Sequence, residues 1–527
     1  MSIRSTVILG LTILIQLSTQ ASLPSDLYYN AGVVEFRTGA ALTSSGRLND
    51  NLNGYLTILD SSEAGGLDIV AFPEGTLNSN DQATFVPDPT KGLIAPCDDK
   101  EDTYHDFLKQ LSCAARKHSL YLVINLTEKE LCSSVPEDPR PCASNGLNVY
   151  NTNVVFDRQG QVISRYRKVH MWGENKNTTL VPELGWFDTD FGVRFGHFIC
   201  FDILFYTPGQ ELIDKYGIKD FVFTTMWFSQ LPFLTAVQVH QAWSYGNDVN
   251  FLAAGASNPM IGSTGSGIYN GRNGIIVAKM NTGLGERKLY TAKVPKYETQ
   301  RHRQKRSVGP SSTITPRLSK PDIYFKRDQL ESYESVLIDL SRGTSLKQEL
   351  CFSKTAFCCS FELKWQPVAF KENSTHYHYR VGVYDDLRKE VAPESNYLKN
   401  CALFSCTGED IMDCGKIFDF DTDVAFENIT IIGTFPKIDG FLLMPNSLKE
   451  ADVMPVPVGH FEWSEVETKD NQIQVRYSLN TTTSNLLAFS IYGNYYDTYA
   501  ENKGDGAASM GISLVCGFVM FLLNLVL

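Results

Sequence analysis

The hydrophobic periodicity changes once along the chain, and that change limits the available folds more than any bulk property. From about 28 to 290, short apolar runs alternate with stretches of helical spacing. Tyr28 to Phe36 reads as a strand, Leu48, Leu52, Tyr55, Leu56 and Leu59 repeat at helical spacing, and Leu67 to Phe72 is a short strand of the buried type. Phe107, Leu108, Leu111, Ala114 and Ala115 mark another helix, and Tyr121 to Ile124 the strand that follows. Asn148 to Phe156 and Val162 to Tyr166 predict a hairpin around Asp157-Arg158-Gln159-Gly160. Val193 to Phe201 and Phe221 to Thr225 are further strands. Between them Thr207-Pro208-Gly209-Gln210 has the capping-box form, and Gly217 closes the helix. This alternation predicts a layered α/β domain over 22–296. From 322 to 500 helical spacing fades. Tyr377, Tyr379, Val381 and Val383, and again Ile473, Val475, Tyr477 and Leu479, alternate with polar or small residues, which predicts a β-rich second domain. The stretch 297–321 separates the two as a basic linker. Its Arg303-Gln304-Lys305-Arg306 has the form of a processing site as well as that of a solvated loop.

Both ends carry targeting patterns. Arg4, an apolar run from Val7 to Leu17 and a small-residue exit at Ala21 predict a signal peptide over 1–21; the alternative is a buried N-terminal element. At the other end, Gly504-Asp505-Gly506-Ala507-Ala508-Ser509 precedes an apolar tail from Ile512 to Leu527 that no basic residue follows. A membrane-spanning helix needs roughly 20 apolar residues and a flanking charge. The shorter tail predicts a glycosylphosphatidylinositol-anchor signal, with attachment at Asp505 and a propeptide over 506–527. The expected location is the extracellular face of the cell membrane, with shed protein as a second form.

An apolar fraction of 43% and a charged fraction of 20% exclude disorder over most of the length. A formal net charge of −12 argues against a general nucleic-acid binder, which needs clustered Lys and Arg against phosphates. Of 12 cysteines, Cys516 falls in the tail. The rest divide into 97, 113, 132, 142 and 200 before the linker and 351, 358, 359, 401, 406 and 414 after it. The second set is even and suits disulfides. The first is odd, and spacing alone does not say which member is free. Asn-x-Ser/Thr sequons at Asn125, Asn177, Asn373, Asn428 and Asn480 predict a glycosylated exterior.

Three segments of the first domain carry chemistry at strand ends. Phe72-Pro73-Glu74-Gly75 offers a carboxylate, Arg165-Tyr166-Arg167-Lys168-Val169-His170 an ammonium, and Gly196-His197-Phe198-Ile199-Cys200-Phe201-Asp202 a thiol. In layered α/β domains, sites gather beyond the carboxyl ends of strands. A thiol there needs a base, and an oxyanion needs a fixed positive charge or backbone N–H donors. Taken one by one, a solvated Glu, a surface Lys and a core Cys are competing readings. His197 lies three residues before Cys200, so on a strand the two point to opposite faces, and it is set aside. Cys358-Cys359 and Cys401-x4-Cys406 suit disulfides better than zinc.

In this order the segments resemble the Glu–Lys–Cys triad of the nitrilase superfamily of carbon–nitrogen hydrolases, within it the vanin and biotinidase branch. Cys200-Phe201-Asp202-Ile203-Leu204-Phe205, Gln241-Ala242-Trp243, Val249-Asn250-Phe251-Leu252-Ala253-Ala254 and Thr264-Gly265-Ser266-Gly267-Ile268-Tyr269 are similar to that branch. The resemblance implies a four-layer α-β-β-α sandwich followed by a β-rich domain. It implies Glu74 as general base, Lys168 as oxyanion stabiliser and proton donor, and Cys200 as nucleophile and therefore the free thiol. Neither metal nor organic cofactor is implied. Glu174 stands where relatives often carry a carboxylate that orients the lysine, and equally where a plain surface residue beside the Asn177 sequon would stand. Met226-Trp227-Phe228 and Val169-His170-Met171-Trp172 depart from the branch's pattern and are expected to line the pocket. The implied activity is hydrolysis of a small-molecule linear amide, pantetheine first and biotin amides second. A binding protein that kept the fold without catalysis is the rival from another class; a thiol-redox protein would need a second cysteine near Cys200. An anchored protein is released from intact cells by a phosphatidylinositol-specific phospholipase, and a true membrane span is retained; flow cytometry before and after treatment distinguishes them.

Overall fold

The computed structural model describes residues 21–134, 138–297, 322–367, 376–388, 396–417, 424–450 and 452–496. The signal peptide up to Gln20, nearly all of the basic linker, Asn373, Asp505 and the anchor signal lie outside the described residues.

Side-chain alternation sorts the first unit into four layers. One sheet contains β1 (Tyr28–Phe36), β2 (Ile69–Ala71), β3 (Tyr121–Leu131), β4 (Leu147–Phe156) and β5 (Val162–Arg167). The other contains β6 (Gly185–Asp188), β7 (Arg194–Ile199), β8 (Asp220–Thr225), β10 (Asn250–Gly255), β11 (Ser266–Asn270) and β12 (Ile275–Lys279), while the short β9 (Gln230–Leu231) stands apart. A further strand, β13 (Arg287–Pro295), returns to the first sheet, giving the orders β13-β1-β2-β3-β4-β5 and β12-β11-β10-β8-β7-β6. In β1, β2 and β3, Tyr29, Ala31, Val33, Ile69, Ala71, Tyr121 and Val123 face the second sheet. Their neighbours Val34, Phe36, Val70, Phe72, Leu122 and Ile124 face α1 (Ser44–Leu59) and α2 (Asp106–His118). Period-two alternation with both faces apolar is what a sheet buried on both sides requires. The second sheet behaves the same way: Val222, Leu252 and Ala254 point inward, and Phe221, Phe223 and Phe251 point toward α3 (Glu211–Tyr216) and α4 (Ala236–Asn247). This is the α-β-β-α sandwich.

The buried carboxylate of Glu35 joins the two sheets. It accepts from the Thr264 hydroxyl at 2.6 Å, from the Ser266 hydroxyl and from Gly265 N, so the Thr264-Gly265-Ser266 motif serves as a clamp between sheets. Two local expectations need correction. The strand before the thiol stops at Ile199 rather than Phe201, because Cys200 takes φ +49 and leaves the sheet. Thr207 keeps extended torsions and its hydroxyl donates to Glu211 Oε2 at 2.7 Å, so no capping box forms with Gln210.

Among its described residues the second unit is all β, apart from one short helical turn at Ile411–Asp413. After β14 (Lys326–Arg327), which pairs with β9, come β15 (Glu334–Leu337), β16 (Ser345–Phe352), β17 (Phe357–Trp365), β18 (His378–Arg388), β19 (Asn396–Cys406), β20 (Ala425–Pro436), β21 (Phe441–Lys449), β22 (Phe461–Glu467), β23 (Gln472–Leu479), β24 (Thr483–Ser484) and β25 (Leu486–Tyr495). They form two antiparallel sheets, β15-β18-β19-β25-β21 and β16-β17-β20-β23-β22, with β24 on β20. The Cys359–Cys401 disulfide ties β17 of one sheet to β19 of the other. Its sequence separation of 42 is worth about 4 kcal/mol of chain entropy. Cys97–Cys113, Cys132–Cys142, Cys351–Cys358 and Cys406–Cys414 are also bonded, and Cys200 is free and buried.

The two units pack as one body around α4 and the loop before it. Gln238 Nε2 donates to Asn446 Oδ1 at 2.6 Å, Asn446 Nδ2 to Phe233 O at 2.8 Å, and Asn494 Nδ2 to Leu204 O at 3.1 Å. The last of these reaches the turn that follows Cys200.

One sequon is misassigned. Asn125 lies on β3 with 1% exposure. Its Nδ2 donates to Asn151 Oδ1 at 2.7 Å and Asn153 Oδ1 at 3.2 Å, and its Oδ1 accepts from Gly75 N at 2.9 Å. A glycan on that nitrogen would break the bonds and has no path to solvent. Asn177, Asn428 and Asn480 are exposed. Glycopeptide mass spectrometry of the protein from animal cells is therefore expected to find Asn125 unmodified; a glycan there would contradict the placement of β3.

Candidate active site

Four chain segments converge beyond the carboxyl ends of the strands. Glu74 sits three residues past β2, and Gly75, at φ +66, turns the chain away immediately after it. Lys168 is the first residue after β5, and Cys200 the first after β7. Glu174 comes from the loop following Lys168. The structure brings these side chains together: Lys168 Nζ donates to Glu74 Oε1 at 2.9 Å and to Glu174 Oε1 at 2.5 Å. Lys168 is 1% exposed and Glu74 4%. Glu174 is thus a partner of the lysine and not a surface residue.

Asn151, on β4, completes the cluster. Its Nδ2 donates to Glu74 Oε1 at 2.7 Å and to Glu174 Oε1 at 3.0 Å, so the two carboxylates are bridged on one side by an ammonium and on the other by an amide. Asn125 fixes Asn151 from behind, as described above, and Met226 N donates to Glu74 Oε2 at 2.8 Å. Glu74 therefore has a donor on each oxygen.

These contacts set the protonation states. Burial pushes the Glu74 carboxyl up, but the Lys168 charge and the hydrogen bonds from Lys168 and Met226 outweigh it and hold the group well below the usual carboxylate range. Burial and then the Glu74 charge leave Glu174 raised, although Lys168 opposes them. Burial disfavours the Lys168 ammonium, yet the Glu74 and Glu174 charges win and raise it well above its ordinary value. Burial and the Glu74 charge push the Cys200 thiol well up, against the pull of Lys168. At neutral pH the resting site holds an ionised Glu74, a charged Lys168 and a protonated thiol.

Asp202 locks the turn that presents the thiol. It accepts from Ile199 N at 3.1 Å, from His170 N at 3.0 Å and from the Tyr166 hydroxyl at 2.7 Å. The exit of the lysine strand is thereby bonded to the cysteine turn. A non-glycine residue at φ +49 costs of order 1 kcal/mol or more and persists only where its surroundings fix it, as they do at Cys200. The first N–H groups of the turn, Phe201's among them, have no intrahelical acceptor and are the available oxyanion donors. His197 faces the layer between the sheets, with Nε2 2.8 Å from Ser164 Oγ, and burial pushes it down to about 3, so it stays neutral and apart from the thiol.

A small cavity that opens into about 330 Å³ of empty space, solvent included, adjoins Cys200. Phe201, Leu204, Trp172, Trp227 and Phe228 make its apolar wall, and the rings of Trp172 and Phe228 stack at 4.8 Å. The departures at Met226-Trp227-Phe228 and around Trp172 thus contribute pocket residues. Among the described residues no group of three His, Cys, Asp or Glu side chains is placed to hold a metal ion. Sequence reasoning missed Asn151, Asp202 and Arg388. The sequence hint for Asn151 was the polar run Asn151-Thr152-Asn153 between Val149-Tyr150 and Val154-Val155-Phe156.

Residues 40–208 match the carbon–nitrogen hydrolase family and residues 323–499 the Vanin C-terminal domain. Vanin-like protein 1 of Drosophila melanogaster is 49% identical over 98% of this chain and 93% of its own length. A Homo sapiens protein named Pantetheinase is 29% identical over 90% of this chain and 88% of its own. Among solved structures, Nit3 of Saccharomyces cerevisiae, a member of branch 10 of the nitrilase superfamily, is 18% identical with a TM-score of 0.39; the match covers 55% of this chain and 99% of that one.

In the expected role of general base Glu74 must be ionised, and Asn151 is one of the donors that favour its ion. Removing that donor raises the folded-state pKa of Glu74, so the acid limb of activity moves to higher pH. A hydrogen bond to a charged group is worth about 1.5–3 kcal/mol. Asn151→Ala is accordingly expected to shift the acid limb of kcat/KM upward by about one to two units. Asn151→Asp, which adds a third carboxylate, is expected to shift it further. A pH–rate profile with less active enzyme and an unmoved limb would mean that Asn151 only supports the fold.

Proposed function

The chain belongs to the vanin branch of the nitrilase superfamily, and from that premise we propose that it is a cell-surface amidohydrolase that splits pantetheine into pantothenate and cysteamine. That it is a carbon–nitrogen hydrolase follows from its family; the substrate and the anchored location are the proposal. The observation that carries it is the buried thiol of Cys200 at the edge of an apolar cavity, within the field of Lys168 and Glu74. Pantetheine is supported by the relative named Pantetheinase and by a cavity whose aromatic wall suits a branched, weakly polar acyl chain.

Ionised Glu74 takes the thiol proton as Sγ attacks the amide carbonyl. This timing suits a thiol too high in pKa to ionise unaided. Lys168 Nζ and the N–H of Phe201 hold the oxyanion, where a single fixed donor is worth about 10²–10³ in rate. The C–N bond breaks as the amine takes the proton from Glu74, leaving a thioester on Cys200. Glu74 then takes a proton from water, the hydroxide adds to the thioester carbonyl, and the C–S bond breaks. The acid leaves and the proton returns to the thiol. Glu174 and Asn151 keep Lys168 and Glu74 aligned through both halves.

A panel of amides that includes pantetheine and biocytin, read by mass spectrometry, tests the proposal. Cysteamine is expected to be released, an acyl adduct is expected on the Cys200 peptide after acid quench, and Cys200→Ala is expected to show neither. Turnover of biocytin in place of pantetheine would shift the substrate to biotin amides. Activity retained by Cys200→Ala would overturn the nucleophile.

A further inference from the structure

The cavity beside Cys200 is not built by the catalytic unit alone. Of its lining residues Trp172 and Phe228 are half-buried and reach solvent. Leu204, Leu234, Gln230 and Arg388, also in the lining, are each no more than 6% exposed. Arg388 is the last residue of β18, in the second unit, yet it lines the same space as the nucleophile. Its Nη2 donates to Gln230 Oε1 at 2.7 Å and to Asp328 Oδ1 at 3.2 Å. Asp328 is held in turn by its own N–H, which donates to Leu231 O at 2.8 Å. The guanidinium is therefore fixed in place, with its charge matched by a carboxylate.

Turnover decides which half of a substrate occupies this buried part. The amine leaves and water enters while the acyl half stays bonded to Cys200, and both movements need the side that reaches solvent. The buried part of the lining then belongs to the acyl half. Its chemistry follows from charge. Asp328 balances Arg388, while the half-buried Lys326, its Nζ 5.8 Å from the Trp172 ring, adds a positive charge nearby, so this part of the lining favours an oxygen acceptor. Resting on the amide-hydrolase reading above, we propose that Arg388 is a specificity-determining residue that donates to an oxygen acceptor beyond the scissile carbonyl on the acyl half of the substrate. The second unit thereby selects what the first unit cleaves.

The test compares two amides of the same amine: pantetheine and an alkanoyl cysteamide of similar length, with no oxygen beyond the scissile carbonyl. The double variant Arg388→Met/Asp328→Asn removes the donor and keeps the charge balanced; Arg388→Lys keeps the cation and loses the planar fork. The double variant is expected to lose about ten- to a hundredfold in kcat/KM on pantetheine, the worth of one charge-assisted hydrogen bond, with the alkanoyl amide little changed. Arg388→Lys is expected to show a smaller loss of the same selectivity. Equal losses on both amides, or none on either, would overturn the proposal. If wild type does not cleave pantetheine, the substrate reading fails by itself, and the ratio is then taken on biocytin against an alkanoyl lysine. Wild type silent on all four amides would overturn both.

Discussion

An ammonium group buried between two carboxylates is the constraint on which the rest of this structure depends. Taking Lys168, Glu74 and Glu174 out of water costs several kcal/mol per ion unless each is paired and each remaining lone pair is satisfied. No single element can supply those partners. Glu74 arrives from the end of β2, Lys168 from the end of β5, Glu174 from the loop beyond it, and the amide that bridges the two carboxylates from the middle of β4. The first sheet has to be in register across three strand pairs before the cluster exists, so the charge pattern of the site also tests the fold. Asp202 extends the same requirement to the second sheet, because its carboxylate bonds the lysine strand's exit at His170 to the cysteine turn at Ile199. The position of the thiol relative to the ammonium is thus set by hydrogen bonds and not by loop length.

The second unit is part of this constraint. Asn494 bonds the carbonyl of Leu204 in the cysteine turn, Asn446 bonds both Gln238 and the loop at Phe233, and Arg388 lines the cavity. These contacts join the β sandwich to the two segments that shape the pocket, the turn after Cys200 and the loop before α4. A domain attached for display alone would have no need to place buried polar side chains there, since each costs desolvation. All three side chains extend from the sheet β15-β18-β19-β25-β21, which the Cys359–Cys401 bridge ties to the other sheet of the unit.

Much of this was legible in the sequence, and the failures share a cause. The layers could be read because alternation and helical spacing are local properties. The order of Glu74, Lys168 and Cys200 could be read because each follows a short apolar run, and strand ends are where α/β sites gather. The five disulfides could be counted because one thiol had a reason to stay free. Asn125 was misjudged because a sequon is three residues long, whereas burial on β3 is decided by Asn151 and Gly75, tens of residues away. Asn151 was overlooked because a polar residue within an apolar strand has no local signature of what it faces. Arg388 was out of reach for the same reason at larger scale: it enters the site from another unit. The early end of β7 belongs here too, since the positive φ of Cys200 is imposed by Asp202 and not by any residue that breaks strands.

The burial of the thiol gains meaning from the cysteines around it. A chain with ten cysteines in five disulfides folds under oxidising conditions, where an ionised, exposed thiol would exchange or oxidise. The reactive species in both side reactions is the thiolate. Burial and the charge of Glu74 keep Cys200 protonated at rest, which suppresses it. In the proposed mechanism the same Glu74 becomes the proton acceptor once an amide carbonyl lies over the sulfur and the developing oxyanion faces Lys168. One carboxylate therefore both quiets the nucleophile in the empty site and activates it in the filled one. What separates the two states is the substrate carbonyl, which gives the electrons of the S–H bond a destination beside a positive charge that the fold has already placed there.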